Sequence, residues 1–371
     1  MKVLINSSHQ RFGGAVQVAI SFLNECKHFT EHEYIVCMGP GISKIIDVNA
    51  FPSNFTFYPF DFGAVNLFNA FHINRELRKV EKKEQPDAVV SHTGPSYFHS
   101  RAPQLIGYNL PVFIYPESPY VQAMSLKTKI KIHCKKLIQH WFLHRDAAAL
   151  SVQTNDVNER ISKVFKSIPV HTVTNNASHY FNEPKPFTKK LPEILPGEFR
   201  FLTLTSYYPH KDLEIIPRIA GILEARGIHH IKFILTVKQE DFKSKLESHP
   251  NVINIGPVPI NEAPSLYQEC NAMFLPSLAE CFSASYAEAM RSNKPIITTE
   301  MGFSKSVCGK AALYYEPVNA LQAAEAIIQL IQDNSLQETL IKNGQEQLKN
   351  FDSPKERAAK YLEICAELRA S

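Results

Sequence analysis

Long apolar runs, metal-binding patterns and a large charge excess are all missing from this chain of 371 residues. Nowhere does an uncharged apolar stretch approach the roughly 20 residues that a membrane-spanning helix needs. Seven cysteines, at 26, 37, 134, 270, 281, 308 and 365, include no C-x-x-C pair. Neither a zinc ribbon nor a disulfide framework is therefore indicated, and a reducing cytosol is the expected setting. No D-x-D pair occurs either, which removes a common carboxylate pattern for holding a metal on a diphosphate. The formal net charge is only +4, and by itself it gives no footprint for nucleic acid. The opening MKVLINSSHQRFGG has three apolar core residues before polar ones begin, so it reads as a first strand rather than a signal peptide. One tryptophan, Trp141, is present.

What the chain does have is ordinary globular composition, with 44% hydrophobic and 20% charged residues, over a length that predicts two domains of similar size. Short apolar runs alternate with helical periodicity. KVLIN is followed by AVQVAISFLNEC, then EYIVCMG, DAVVSH, PVFIYP and AAALSVQ read as further strands. The pattern fails between Ala177 and Arg200, where prolines and basic residues crowd a stretch read as an interdomain linker. It restarts with FRFLTLTS, KDLEIIPRIAGILEARG, HIKFILTV, VINIGPV, PSLYQEC, AMFLPS, KPIITTE and LQAAEAIIQLIQD. This is the βαβ signature of two successive doubly wound parallel sheets. The phenylalanines of residues 51–71 fit a half-buried strand and helix.

A basic segment, Ser125 to Arg145, interleaves Lys127, Lys129, Lys131, Lys135, Lys136 and Arg145 with Ile130, Ile132, Leu137, Ile138, Trp141 and Phe142. Such a helix either packs its apolar stripe on its own domain or lies on an anionic membrane surface.

Several turns carry candidate chemistry. Gly13 and Gly14 follow the first strand and lead into a helix, where paired glycines let backbone amides approach an anion; they also suit a simple tight turn. In the second half, TSYYPHKDLE places Lys211 at a predicted helix start. A cation there opposes the helix dipole and hints at a nearby anion, against the alternative of a solvated surface lysine. His92, in VVSHTGPS, sits at a predicted strand end as an acid/base or acceptor contact, or as a loop histidine satisfied by its neighbours. The stretch ECFSASYAE sets Glu280 and Glu288 eight residues apart around a strand-to-helix turn. Ser285 with Glu288 also spells a capping box, which leaves Glu280 unexplained. Ligands bind at such turns in open α/β sheets, so both carboxylates can face one crevice.

In order, FGGAVQVAISFL, VVSHTGP, TVTNNAS, PHKDL and the block from Val252 ending in the E-x7-E pair resemble the GT-B glycosyltransferases of family 4, retaining enzymes that use nucleotide-sugar donors. The resemblance spans nearly the whole chain, and the last block is its specific part. It implies an α/β GT-B fold of two Rossmann-like domains facing each other across a cleft. Residues 1–180 would bind the acceptor, with a C-terminal helix at 354–371 packing back on them; 181–198 would be the linker and 199–353 the donor domain. Lys211 and Glu280 would be catalytic, on the diphosphate and the sugar respectively. The amides of Phe282 and Ser283 would meet the diphosphate, Glu288 would take the ribose hydroxyls, and Gly13, Gly14 and His92 would complete the substrate site.

The implied reaction moves a sugar from a nucleotide-diphosphate donor to a glycan or lipid-linked glycan acceptor in lipopolysaccharide, capsule or exopolysaccharide synthesis. No divalent metal or other cofactor is expected, and nucleic acid is not an expected partner. The expected location is cytoplasmic, peripheral on the inner membrane face through residues 125–145. An epimerase or sugar-phosphate synthase on the same fold, and a non-catalytic carbohydrate-binding protein, are the alternatives. The chain departs from the family where Ser206 stands for arginine and Cys281 for glycine, around Tyr115-Pro116-Glu117, and at Gly302 to Lys305. The missing arginine removes one diphosphate donor, for which Lys305 or Arg11 is a candidate substitute.

Overall fold

The computed structural model describes residues 1–63, 67–181, 191–246 and 249–370. Half of the expected linker, 182–190, lies outside them. Contacts divide the chain into two compact units, one of residues 1–114, 125–174 and 352–371, the other of residues 115–124 and 175–351.

The first unit carries Lys2–Ser7 (β1), Glu33–Met38 (β2), Phe55–Pro59 (β3), Ala88–Ser91 (β4), Gln104–Gly107 (β5), Ala149–Val152 (β6) and Val170–Thr172 (β7). They form one parallel sheet in the order β3-β2-β1-β4-β5-β6-β7. Its central strands are apolar on both faces because both faces are covered. Val3 and Ile5 of β1 enter a core with Val16, Phe22 and Leu23 of the helix Gly14–Cys26. Leu4, between them, points into the opposite core with Ile73 and Leu77 of the helix Leu67–Glu84. The C-terminal helix Pro354–Ala370 belongs to this unit and buries Ala358, Tyr361, Leu362 and Cys365 beside Phe22. At about 1.5–3 kcal/mol per large buried apolar side chain, that packing holds it firmly.

One local reading of this unit differs from the structure. PVFIYP is not a strand; Pro111–Ile114 is a single helical turn, for which Pro111 supplies a preset φ and needs no amide partner. The sheet position is taken instead by β5, whose aliphatic run is only Leu105 and Ile106.

The second helix-rich surface of this unit is unusual. The helix Leu126–Asp146 buries Gln139, Phe142, Leu143 and Asp146 and leaves Leu126, Ile130, Leu137 and Trp141 exposed. Of the apolar residues read in this segment, Phe142 packs in the core of its own domain, while Leu126, Ile130, Leu137 and Trp141 stay in solvent.

The second unit carries Phe199–Thr203 (β8), Ile231–Leu235 (β9), Val252–Asn254 (β10), Ala272–Leu275 (β11), Ile296–Thr299 (β12) and Ala312–Tyr315 (β13). These are again all parallel, in the order β10-β9-β8-β11-β12-β13. One core packs Phe201, Phe233 and Phe274 against Ile216, Ile219 and Leu223 of the helix Ile215–Ala225 and Ile327 and Leu330 of the helix Ala320–Gln332. Residues 115–124 group here rather than with the first unit. Ser118 Oγ donates to the Leu278 carbonyl at 2.7 Å, and Tyr120 meets the His210 ring edge-on at 5.9 Å.

In each sheet the strand order reverses once, between β1 and β4 and between β8 and β11. Ligands of open α/β sheets bind outside the carboxyl ends of the strands at such reversals.

Candidate active site

At the β8/β11 reversal, chain leaves both strands into loops that are tied to each other. Leu278 N donates to the His210 carbonyl at 2.8 Å, and Thr203 Oγ1 donates to the Phe274 carbonyl at 2.7 Å. This brings Lys211 and Glu280, 69 residues apart in sequence, into a hydrogen-bonded ion pair. Ser277 Oγ donates to the same carboxylate oxygen, Oε1, at 3.1 Å. Lys211 is buried, so its ammonium is held by this pair in a partly dry setting where electrostatic interactions are stronger than in water.

Lys211 is not at a helix start. It ends a 3-10 turn, Pro209–Lys211, and the helix begins only at Ile215. No helix dipole therefore acts on the Lys211 ammonium from a helix start at that position. The chain turns instead through Asp212, which sits in the left-handed region at φ 49°, where aspartate is among the more tolerant non-glycine residues. Sequence reasoning passed over Asp212. Its Oδ2 is buried without a partner among the described residues, and burial, with Glu214 adding repulsion, pushes its carboxyl up to about 7.

The second acid lies behind the turn. Ser283 precedes the helix Ala284–Arg291, and the amides of Phe282 and Ser283 donate to nothing among the described residues. Open amides at a helix N-terminus form an anion-binding arrangement. The capping-box reading of Ser285 and Glu288 is overturned. Ser285 lies inside the helix and its hydroxyl donates to the Leu204 carbonyl at 3.1 Å. That bond ties the helix to the loop after β8. Glu288 is 7% exposed and its carboxylate takes no hydrogen bond among the described residues. Burial alone pushes it up to about 7. A carboxyl kept unpaired in such a place is costly, and costs of this kind concentrate at functional sites.

Ser206 is exposed on the loop after β8. Neither suggested substitute for the missing arginine is free. Lys305 pairs with Glu300 at 2.7 Å, and Arg11 pairs with Asp61 at 2.6 Å.

In the first unit, Gly13 precedes the helix Gly14–Cys26 at φ 80°, a conformation that requires glycine. A Cβ at Gly13 or Gly14 would meet nothing within 4 Å, so the turn is open. His92 follows β4, but its ring is turned inward. It packs edge-on against Phe22 at 4.6 Å and Tyr361 at 5.2 Å, and both ring nitrogens are buried without partners among the described residues. Burial, with the nearby Arg357 charge, holds it down at about 3, so it stays neutral. The histidine at the β1/β4 reversal is His9, whose Nε2 lies 3.2 Å from Thr93 Oγ1 and whose pKa burial lowers to about 4. It follows β1 within the polar run NSSHQ, a signal weaker than a strand-end motif.

Two all-parallel sheets, each with one order reversal and the charged turns at the second, define the GT-B fold. Residues 194–347 match the family model described as "Glycosyl transferases group 1". The chain is 23% identical over 215 residues to the O-antigen chain mannosyltransferase RfbU of Salmonella typhimurium, covering 55% of this chain and 54% of that one. It spans about half the length of the curated relatives it matches. Among solved structures, sucrose-phosphate synthase from Thermosynechococcus elongatus superposes with a TM-score of 0.74 at 15% identity, covering 100% of this chain and 99% of that chain. Anabaena HepE in complex with UDP and glucose gives 0.69 at 15% identity, covering 99% and 100%. Among the described residues no helix is long and apolar enough to cross a membrane.

Proposed function

We propose that the protein is a retaining glycosyltransferase that moves a hexose from a nucleoside-diphosphate sugar to a hydroxyl of a glycan or lipid-linked glycan, in synthesis of a bacterial surface polysaccharide. The observation that carries this is the β8/β11 reversal, which joins the Lys211 ammonium, the free amides of Phe282 and Ser283 and two acids, Glu280 and Glu288, on consecutive turns. A diphosphate leaving group needs donors where its negative charge grows, and one ammonium with preorganised amides supplies them. Glu280 holds Lys211 in position and faces the sugar. Glu288 accepts from the ribose hydroxyls, which compensates the cost of its burial. In this reading the departing diphosphate assists deprotonation of the acceptor hydroxyl, so no separate base is required and no divalent metal takes part.

The match to a glycosyltransferase family over residues 194–347, the mannosyltransferase relative and the UDP complex of HepE support the donor class. The test is a thermal-shift screen of nucleotide sugars, followed by transfer with the donor that binds. Release of nucleoside diphosphate and a product with the donor's anomeric configuration are expected. An inverted anomer would refute retention. Formation of a free epimer, or binding without turnover, would refute transfer.

A further inference from the structure

The helix Leu126–Asp146 is amphipathic with its faces reversed relative to the usual surface helix. Successive residues turn by about 100°, so Leu126, Ile130, Cys134, Leu137 and Trp141 fall in one stripe. Gln139, Leu143 and Asp146 lie on the opposite side. The opposite side is the packed one. Gln139 Nε2 donates to Tyr97 OH at 3.5 Å, and the Gln104 amide donates to the Asp146 carbonyl at 3.1 Å. Phe142, at the edge of that face, meets the Tyr97 ring at 4.8 Å. The apolar stripe is left in solvent, with Leu126 74%, Ile130 56%, Leu137 58% and Trp141 58% exposed. Lys127, Lys131 and Lys135 run along one flank of it, all exposed. No acid occurs in the segment until Asp146, and that carboxylate is buried and held by Arg145 and His99.

We propose that this stripe is a docking face for an anionic lipid bilayer. A continuous exposed apolar stripe marks a surface that something covers. The lysine row decides what covers it. A second copy laid on the same face would bring lysine against lysine, which opposes association. A negatively charged headgroup layer is the complementary surface, into which the aliphatic chains and Trp141 insert while lysine ammoniums stay with the phosphates. The proposal concerns the first unit alone and does not depend on the catalytic reading.

Trp141 is the sole tryptophan of the chain and lies on the face in question, so its emission reports docking without a label. The full-length protein is titrated with vesicles of phosphatidylcholine containing about half phosphatidylglycerol, and with vesicles of phosphatidylcholine alone. A blue shift and quenching by brominated acyl chains are expected with the first and not with the second, and salt should reverse them. The triple variant Lys127→Gln, Lys131→Gln, Lys135→Gln should partition about two orders of magnitude more weakly, at about fivefold per lysine. The variant Leu126→Ser, Ile130→Ser, Leu137→Ser should lose the blue shift while its far-ultraviolet circular dichroism stays unchanged, because all three side chains are more than half exposed. Unchanged Trp141 emission with anionic vesicles would overturn the proposal. So would binding untouched by either variant, or a concentration-dependent dimer that the serine variant abolishes.

Discussion

Replacing Glu288 by glutamine removes a charge and keeps the shape, so its effect isolates the cost of holding a buried, unpaired acid. The carboxyl is displaced from 4.5 to about 7 by burial, and at about 1.4 kcal/mol per pH unit this corresponds to about 3 kcal/mol. The sign follows from which state loses its proton first. Below about pH 4.5 the acid is protonated in folded and unfolded chains alike and costs nothing. As pH rises toward 7 the unfolded chain ionises while the folded one does not, so wild-type stability falls; above 7 the loss is complete. Glu288→Gln should therefore match wild type near pH 4.5 and exceed it by up to about 3 kcal/mol at pH 8. Scanning calorimetry would show this as a rise of roughly 6–12 °C in the transition of the second unit, at about 2–4 °C per kcal/mol. The same variant should raise the donor Michaelis constant more than it lowers turnover, because a ribose contact is present in ground and transition states alike. Identical melting of variant and wild type at pH 8 would refute the buried-acid reasoning. A large fall in turnover at unchanged donor affinity would refute the ribose assignment.

Asp212→Asn should likewise stabilise the protein above pH 7 and leave it unchanged below about pH 4, since its carboxyl is also pushed up to about 7 and asparagine tolerates the same left-handed backbone; equal stability of both forms at pH 8 by urea unfolding would contradict this. Lys211→Ala should cost turnover by about 2–4 kcal/mol in activation energy, the range for one lost donor to developing charge; near-normal steady-state rates would remove Lys211 from the site. Transfer to a true glycan acceptor should persist in excess EDTA, and complete inactivation restored by one divalent ion would overturn the metal-free reading together with the part given to Lys211.

Sequence alone determined the elements whose side chains all point to one answer. The parallel strands are apolar throughout because both their faces are covered, so KVLIN, EYIVCM and AMFL were legible as strands without partners. The strands β5 and β13 were not, because QLIG and ALYY carry no more than two consecutive aliphatic residues beside polar, glycine or tyrosine positions. Local spacing likewise marked the turn around Glu280 and the helix holding Glu288. What each acid does was decided by residues far away in the chain. Glu280 is claimed by Lys211, 69 positions earlier. Glu288 takes no capping bond because the helix starts at Ala284, which leaves Ser285 inside its first turn, with its hydroxyl donated to Leu204, 81 positions earlier. His92 looked like a ligand by its place at a strand end, yet its ring direction was set by Phe22 and by Tyr361 from the C-terminal helix. The basic helix shows the division most sharply. Its sequence fixes an apolar stripe beside lysines, but periodicity is the same whichever face turns inward. Only the tertiary contacts of Gln139, Phe142 and Leu143 decide that the stripe faces solvent.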